Sequence, residues 1–277
     1  MANVDSDSNK YPLNLLLVED NADLNESYKK EIEGIELEEF KIVVKAFTGY
    51  DEALKSLEED YIDMVVTDSK LDQETGQALL KQLNKSFYPS AILYSREEVH
   101  LPKELQGLNI KTISLVNGND LILEVKKELD LNSKIFKNQT FLRGVYLTNF
   151  VELELQINEF LKVYFFQDTK DTSKKEEFND LILGSKYNSF DNKTDALWGI
   201  IKTKYAEYKE KITQKKLNSI TEYRNKIAHG QFRDKTFITH NTNKKPITER
   251  DIRNKLGEIK KITTSIKKLT AYLQKEV

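Results

Sequence analysis

The sequence predicts two folds in series: a doubly wound α/β domain with a five-stranded parallel sheet over residues 1–131, then an all-α helical bundle over 132–277. Three observations carry that expectation. Short continuous apolar runs alternate with amphipathic stretches in the first half, as in parallel strands covered on both faces by crossover helices. In the second half apolar residues instead recur every three or four positions over long segments, the spacing of one helix face. Charge also changes sign: 14 basic and 27 acidic residues up to Asp130 give −13, and 29 basic and 18 acidic residues from Leu131 give +11, within an overall −2.

The elements of the first half follow in order. Leu13–Val18 is an apolar run of strand length, and Leu24–Ile32 has helical spacing. Further strands are expected at Lys41–Phe47, Ile62–Thr67, Ala91–Tyr94 and Ile110–Leu115, with helices at Asp51–Glu58, Gly76–Leu83 and Asp120–Leu129. Ligands of open α/β sheets sit beyond the carboxyl ends of the strands. Glu19 and Asp20 follow the first strand at that end.

In the second half, Phe141–Phe166 carries Val145, Phe150, Leu153, Ile157, Phe160 and Leu161 at helical intervals. Ser173–Glu176 is a helix-start pattern before Phe178, Leu181 and Ile182, and Thr194–Ile212 reads as one amphipathic helix with Leu197, Trp198, Ile201 and Tyr205, the last expected in the core. Leu217, Ile220 and Ile227 form the stripe of the next helix. A polar stretch from Asp234 to Pro246 reads as a loop. Thr248 with Asp251 three later is a capping pattern for a final helix toward Leu273. Glu152 and Glu154 offer carboxylates that could meet Arg224 across the bundle.

The most informative stretch is Tyr223-Arg224-Asn225-Lys226-Ile227-Ala228-His229-Gly230. Thr221, Asn225 and His229 are spaced at four and share one helical face, whereas Arg224 leans toward the apolar stripe. A histidine exchanges protons near neutral pH, and an arginine presents a charged planar fork to phosphate oxygens, so the group suits metal-free cleavage of a phosphodiester. Lys226 beside it reads as a phosphate contact. A purely architectural reading stands alongside: an arginine tied to carboxylates, a histidine near helix-end carbonyls and Gly230 as the cap. His100 and His240 read as surface residues. With no cysteine and three scattered histidines, neither disulfides nor a zinc-type ligand set is expected.

The octet resembles the R-x4-H signature of the HEPN superfamily, over about the last 140 residues. The resemblance implies that Arg224 and His229 are the catalytic pair, with Asn225 as the accompanying polar residue. It further implies a homodimer whose motif helices build one composite cleft for RNA, with no cofactor there. Members act as ribonuclease toxins and phage-defence effectors, so a bacterial stress or antiviral role is implied; other members bind without cutting. The first 130 residues or so resemble the receiver domain of bacterial response regulators. By that resemblance Glu19, Asp20 and Asp68 hold Mg²⁺, Asp68 is the phosphoacceptor, Gly76 is the turn glycine and Ser95 the switch hydroxyl, with a histidine kinase or another signalling protein as partner. Two departures are visible. Leu115-Val116-Asn117 stands where receivers carry a lysine, which Lys111 at the other end of its strand does not replace, and Asp72 stands where they carry a proline. A degenerate receiver serving as a docking platform, joined to a helical module that binds protein partners as a signalling adaptor, is the alternative.

No apolar run reaches the roughly 20 residues that span a bilayer, and the acidic N-terminus lacks a signal-type segment, so a cytoplasmic protein without membrane contact is expected. The basic half suits a polyanion, or docking onto the acidic half.

Overall fold

The computed structural model describes residues 10–72, 74–83, 90–98, 100–115, 120–166, 189–229, 231–233, 236–238 and 247–275. The chain divides into two compact units, Met1–Phe141 and Leu142–Val277.

In the first unit strands and helices alternate: β1 (Tyr11–Val18), α1 (Ala22–Glu33), β2 (Phe40–Phe47), α2 (Tyr50–Glu59), β3 (Met64–Asp68), α3 (Gly76–Lys81), β4 (Ser90–Ser95), β5 (Ile110–Ser114) and α4 (Leu121–Phe136). Position 131 lies inside α4. The five strands are all parallel, in the order β2-β1-β3-β4-β5. This doubly wound topology is the receiver or flavodoxin arrangement. Burial explains the composition of each strand. β1, β3 and β4 are covered on both faces and read as nearly unbroken apolar runs, whereas edge strand β2 alternates buried Phe40, Ile42 and Val44 with exposed Lys41 and Val43. Leu16, Val18, Val65, Ala91 and Leu93 pack with Ala53 and Leu57 of α2 and Leu79 and Leu80 of α3 on one face. α1 and α4 pack together and lie against β1 and β4.

The helices begin where local chemistry supplies caps. Asn21 accepts from the backbone N–H groups of Asp23 and Leu24, Thr75 from that of Ala78, and Asp120 from those of Ile122 and Leu123. α4 runs seven residues beyond the expected Leu129, its C-terminal part buried through Asn132, whose amide donates to the buried Ser90 hydroxyl at 2.5 Å.

The second unit is helical. Among its described residues are α5 (Gln139–Phe166, which crosses the unit boundary), α6 (Phe190–Lys204), α7 (Gln214–His229) and α8 (Glu249–Lys275). α5 buries Leu142, Tyr146, Phe150, Leu153, Ile157 and Phe160, and α8 buries Ile252, Leu256, Ile259, Ile266, Leu269 and Leu273. The capping box that opens α8 is formed: Thr248 Oγ1 accepts from the Asp251 N–H at 3.2 Å, and Asp251 Oδ2 accepts from the Thr248 N–H at 2.9 Å.

Two expectations are corrected. The segment Thr194–Ile212 is not one helix: α6 stops at Lys204, Tyr205 leaves the helical region (φ −129, ψ 63), and a 3₁₀ turn at Ala206–Tyr208 follows. Leaving the helix lets Tyr205 stand edge-on to Phe160 and Tyr164 at 6.5 Å, so aromatic packing overrides the helical pattern. The stretch after the motif, read as loop, contains a strand. β6 (Gln231–Arg233) and β7 (Thr236–Ile238) pair antiparallel, with Arg233 opposite Thr236. The helix start at Ser173–Glu176 with Phe178, Leu181 and Ile182, together with Val116, Asn117, Gly230 and His240, lies outside the described residues.

Candidate functional site

The parallel register levels the ends of β1, β3 and β4. Val18 pairs with Thr67 and Asp68 with Tyr94, so Glu19, Asp20 and Asp68 emerge together at the carboxyl edge. One carboxylate oxygen from each lies within 4.8 Å of the others. Glu19 is buried, and its two oxygens are held from both sides: Oε2 accepts from the Tyr94 hydroxyl at 2.7 Å and Oε1 from the Asn21 N–H at 3.1 Å. Asp68 Oδ1 accepts from the Lys70 N–H at 3.1 Å. Burial pushes the Glu19 and Asp68 carboxyls above their ordinary range, opposed at Glu19 by the Tyr94 hydrogen bond and at Asp68 by the backbone N–H groups of Lys70 and Ser69. Burial, reinforced by the charge on Glu19, raises the Tyr94 hydroxyl far above its ordinary value, so it remains a donor.

These groups line a cavity of about 230 Å³ with Asn21, Leu24, Tyr28, Lys70, Arg96 and Leu115. The donors offered are all carboxylate oxygens, a set that fits a hard cation such as Mg²⁺. Gly76 makes the geometry available. A Cβ there would stand 1.9 Å from the Asp68 carbonyl oxygen and 2.9 Å from Thr67 Oγ1, so α3 can seat against the end of β3 only without a side chain.

Ser95 does not line this cavity. Its Oγ accepts from the Glu97 N–H at 3.1 Å, and alternation along β4 gives it the face of Ala91 and Leu93, while Tyr94 faces the carboxylates. The β4 hydroxyl that reaches the acidic group therefore belongs to Tyr94, while Ser69 Oγ, just after β3, donates to Asp68 Oδ1 at 3.4 Å. In the sequence Tyr94 figured only as the last residue of an expected strand; its in-register pairing with Asp68 is what reveals it. Leu115 puts an apolar wall where a receiver lysine is expected, and Lys111 is engaged elsewhere, 2.5 Å from Glu124.

In the second unit Arg224, Asn225, Lys226 and His229 occupy the last turns of α7. Arg224 is half-buried, with its guanidinium 5.6 Å from the centre of the Phe150 ring and Nη1 donating to Asn225 Oδ1 at 3.1 Å. Asn225 is exposed. Lys226 pairs with Glu222 at 2.6 Å and stands 5.6 Å over the Tyr223 ring. α7 ends at His229, and the surroundings of its imidazole lie outside what is described. α5 grips this helix at two carbonyls. Tyr146 donates to Ile220 O at 3.0 Å, and Arg143 Nη2 donates to Ala228 O, one residue before His229, a cation meeting a helix-end carbonyl. Glu152 and Glu154 bond Lys267 and Lys193 rather than Arg224, at 2.9 and 2.8 Å. Arg143 and Phe150 were legible only as helix residues, because their roles depend on which helix lies opposite.

Residues 164–272 match the RiboL-PSP-HEPN family model. This match spans less than half of the chain and contains the whole octet. A HEPN-like domain thus follows a receiver-like one. Three solved structures are similar to the receiver-like part. A CheY-like response regulator receiver domain protein from Methanospirillum hungatei JF-1 is 20% identical, with a TM-score of 0.36, covering 44% of this chain and 97% of that one. The signal receiver domain of an HD domain-containing protein from Pseudomonas fluorescens Pf-5 is 17% identical, with a TM-score of 0.35 and coverages of 44% and 98%. A CheY-like receiver domain from Methylobacillus flagellatus is 22% identical, with a TM-score of 0.35 and coverages of 43% and 98%. No curated protein matches the chain. Among the described residues, no helix is long and apolar enough to cross a membrane.

Proposed function

We propose that this chain is a metal-independent endoribonuclease of HEPN type, governed by its receiver-like domain and acting as a bacterial stress or phage-defence effector. The observation that carries the reading is the octet with Arg224 and His229 on the closing turns of α7, inside the segment that matches the RiboL-PSP-HEPN family. In the reaction His229 takes the proton of a ribose 2′-hydroxyl, and the 2′-oxygen forms a bond to phosphorus. The bond from phosphorus to the 5′-oxygen breaks, and the leaving oxygen takes a proton from a protonated His229 imidazole of the shared cleft, which returns it to its starting state. The products are a 2′,3′-cyclic phosphate and a 5′-hydroxyl. Arg224, held by Phe150 and Asn225, meets the charge that grows on the phosphorane oxygens, while Lys226 draws the backbone of the RNA. Two protomers join their motif helices into one cleft.

Regulation enters through Glu19, Asp20 and Asp68. These residues would hold Mg²⁺, whose charge would offset their mutual repulsion and make Asp68 a phosphoacceptor for a histidine kinase or another signalling protein. The buried, hydrogen-bonded Glu19 and the exclusion of any Cβ at Gly76 support a built site rather than a loose acidic surface. The adaptor reading draws support from Leu115, which lines the cavity where a lysine is expected.

Purified protein incubated with RNA in EDTA tests the proposal. Cleavage that persists in chelator, leaves cyclic-phosphate ends and disappears in His229→Ala while dimers persist is the expected result. An intact wild-type protein that leaves RNA uncut under every phosphodonor and cation tried would point to the adaptor. Cleavage abolished by EDTA would remove the metal-independent mechanism.

A further inference from the structure

The cavity at the carboxyl edge of the sheet carries both signs of charge. Its floor is Glu19, Asp20 and Asp68, and two cations, Lys70 and Arg96, line it as well. The two cations differ in what already holds them. Lys70 Nζ is 2.6 Å from Glu97 Oε1. Arg96, exposed to solvent, has no hydrogen bond or ion pair among the described residues, though its charge is felt at the Tyr28 hydroxyl in the same cavity. A guanidinium that lines a cavity with three carboxylates and has no partner among the described residues can offer its donors to a ligand.

Charge balance says what that ligand is. A divalent cation on three carboxylates leaves one negative charge, and a tetrahedral oxyanion seated at Asp68 adds more in a half-buried place. Such a group requires a cation beside it. Among the described residues of the fifth strand, Leu115 is apolar and Lys111 bonds Glu124 at 2.5 Å. A guanidinium fork also matches two oxygens of a phosphoryl group at once, which an ammonium does not.

We propose that Arg96 is the cationic partner of an oxyanion seated at Asp68, standing in for the lysine that receiver domains carry at the end of their fifth strand. This rests on the reading of Glu19, Asp20 and Asp68 as a divalent-cation site. Arg96 lies just past the end of β4, two residues beyond Tyr94, which pairs with Asp68, and it lines the same cavity as Tyr94 and the three carboxylates. The chain thereby retains an oxyanion site although its fifth strand lacks the lysine.

Calorimetric titration of the full-length protein tests this, first with Mg²⁺ alone and then with beryllium trifluoride added. That anion mimics a phosphoryl group by exchanging its bound water for a carboxylate oxygen. Arg96→Ala is expected to weaken beryllium fluoride binding about tenfold or more, the loss of a charge-assisted contact, and to leave Mg²⁺ affinity within about twofold. Arg96→Lys recovers part of the loss. Because Arg96 is exposed, both variants fold. Equal beryllium fluoride binding by Arg96→Ala and wild type overturns the inference, as does a loss that appears in Lys70→Ala and not in Arg96→Ala. A wild type that binds Mg²⁺ but no beryllium fluoride overturns it while sparing the cation site; a wild type that binds no Mg²⁺ removes the cation-site reading and this inference with it.

Discussion

Replacing Gly76 by alanine probes the acidic edge through its backbone support. The added methyl would lie 1.9 Å from the Asp68 carbonyl oxygen and 2.9 Å from Thr67 Oγ1. An ordinary carbon–oxygen contact is about 3.3 Å, so roughly 1.4 Å of separation must be created. The obstructing atom is backbone at the end of a central strand, where Ser69 N–H bonds Tyr94 O at 2.8 Å and Gly76 N–H bonds Ser69 O at 3.2 Å. Neither partner can rotate away as a side-chain tip would. Overpacking of this kind costs about 3 kcal/mol, the upper part of the usual range. For a unit of about 140 residues that lowers Tm by roughly 10 °C. Displacing Asp68 also spreads the three carboxylates, so Mg²⁺ affinity falls in the same variant. Urea unfolding followed by circular dichroism and Mg²⁺ calorimetry report the two effects. An alanine variant within about 0.5 kcal/mol of wild type, with unchanged Mg²⁺ affinity, would show that α3 is not seated against Asp68 as described.

Gly144 gives the opposite case: nothing lies within 4 Å of a Cβ there, inside helix α5, so Gly144→Ala should stabilise by about 1 kcal/mol and raise the urea midpoint. Glu154→Gln leaves the Lys193 ammonium, 1% exposed, without its carboxylate and should cost about 3 kcal/mol; a Glu154→Leu, Lys193→Met pair should recover most of it in the same unfolding assay. The hydrogen bonds from Lys111 and Lys127 hold the Glu124 carboxyl below its ordinary 4.5. Its contribution is therefore complete above that value and is lost as pH falls through the lowered folded one. With Lys111 38% exposed the pair contributes at most about 1 kcal/mol, so Lys111→Met should narrow the stability difference between pH 7 and pH 3 by no more than that in urea titrations.

Period and composition made the α/β then all-α order readable, since β1, β3 and β4 must be apolar throughout to be covered on both faces and α5 and α8 must repeat apolar residues every three or four positions. The carboxylates were readable for the same reason: Glu19 and Asp68 interrupt those runs at their carboxyl ends. Tyr94 was not. A strand's pattern does not say which of its two faces meets a neighbour's functional residue, and Ser95, the more obvious hydroxyl by analogy, falls on the other face. The break at Tyr205 was equally hidden, because residues 194–212 satisfy helical spacing while the aromatic cluster of Phe160 and Tyr164 lies far off in sequence.

By itself the sequence determined the periodicities, the charge reversal, the three carboxylates and the R-x4-H octet, all properties of neighbours along the chain. Tertiary structure decided which hydroxyl meets Glu19, why residue 76 bears no side chain, that Phe150 and Asn225 hold Arg224, and that Arg143 meets the carbonyl before His229. Each of these depends on strand register or helix packing between distant segments, and local propensity carries no information about which distant segment will lie opposite.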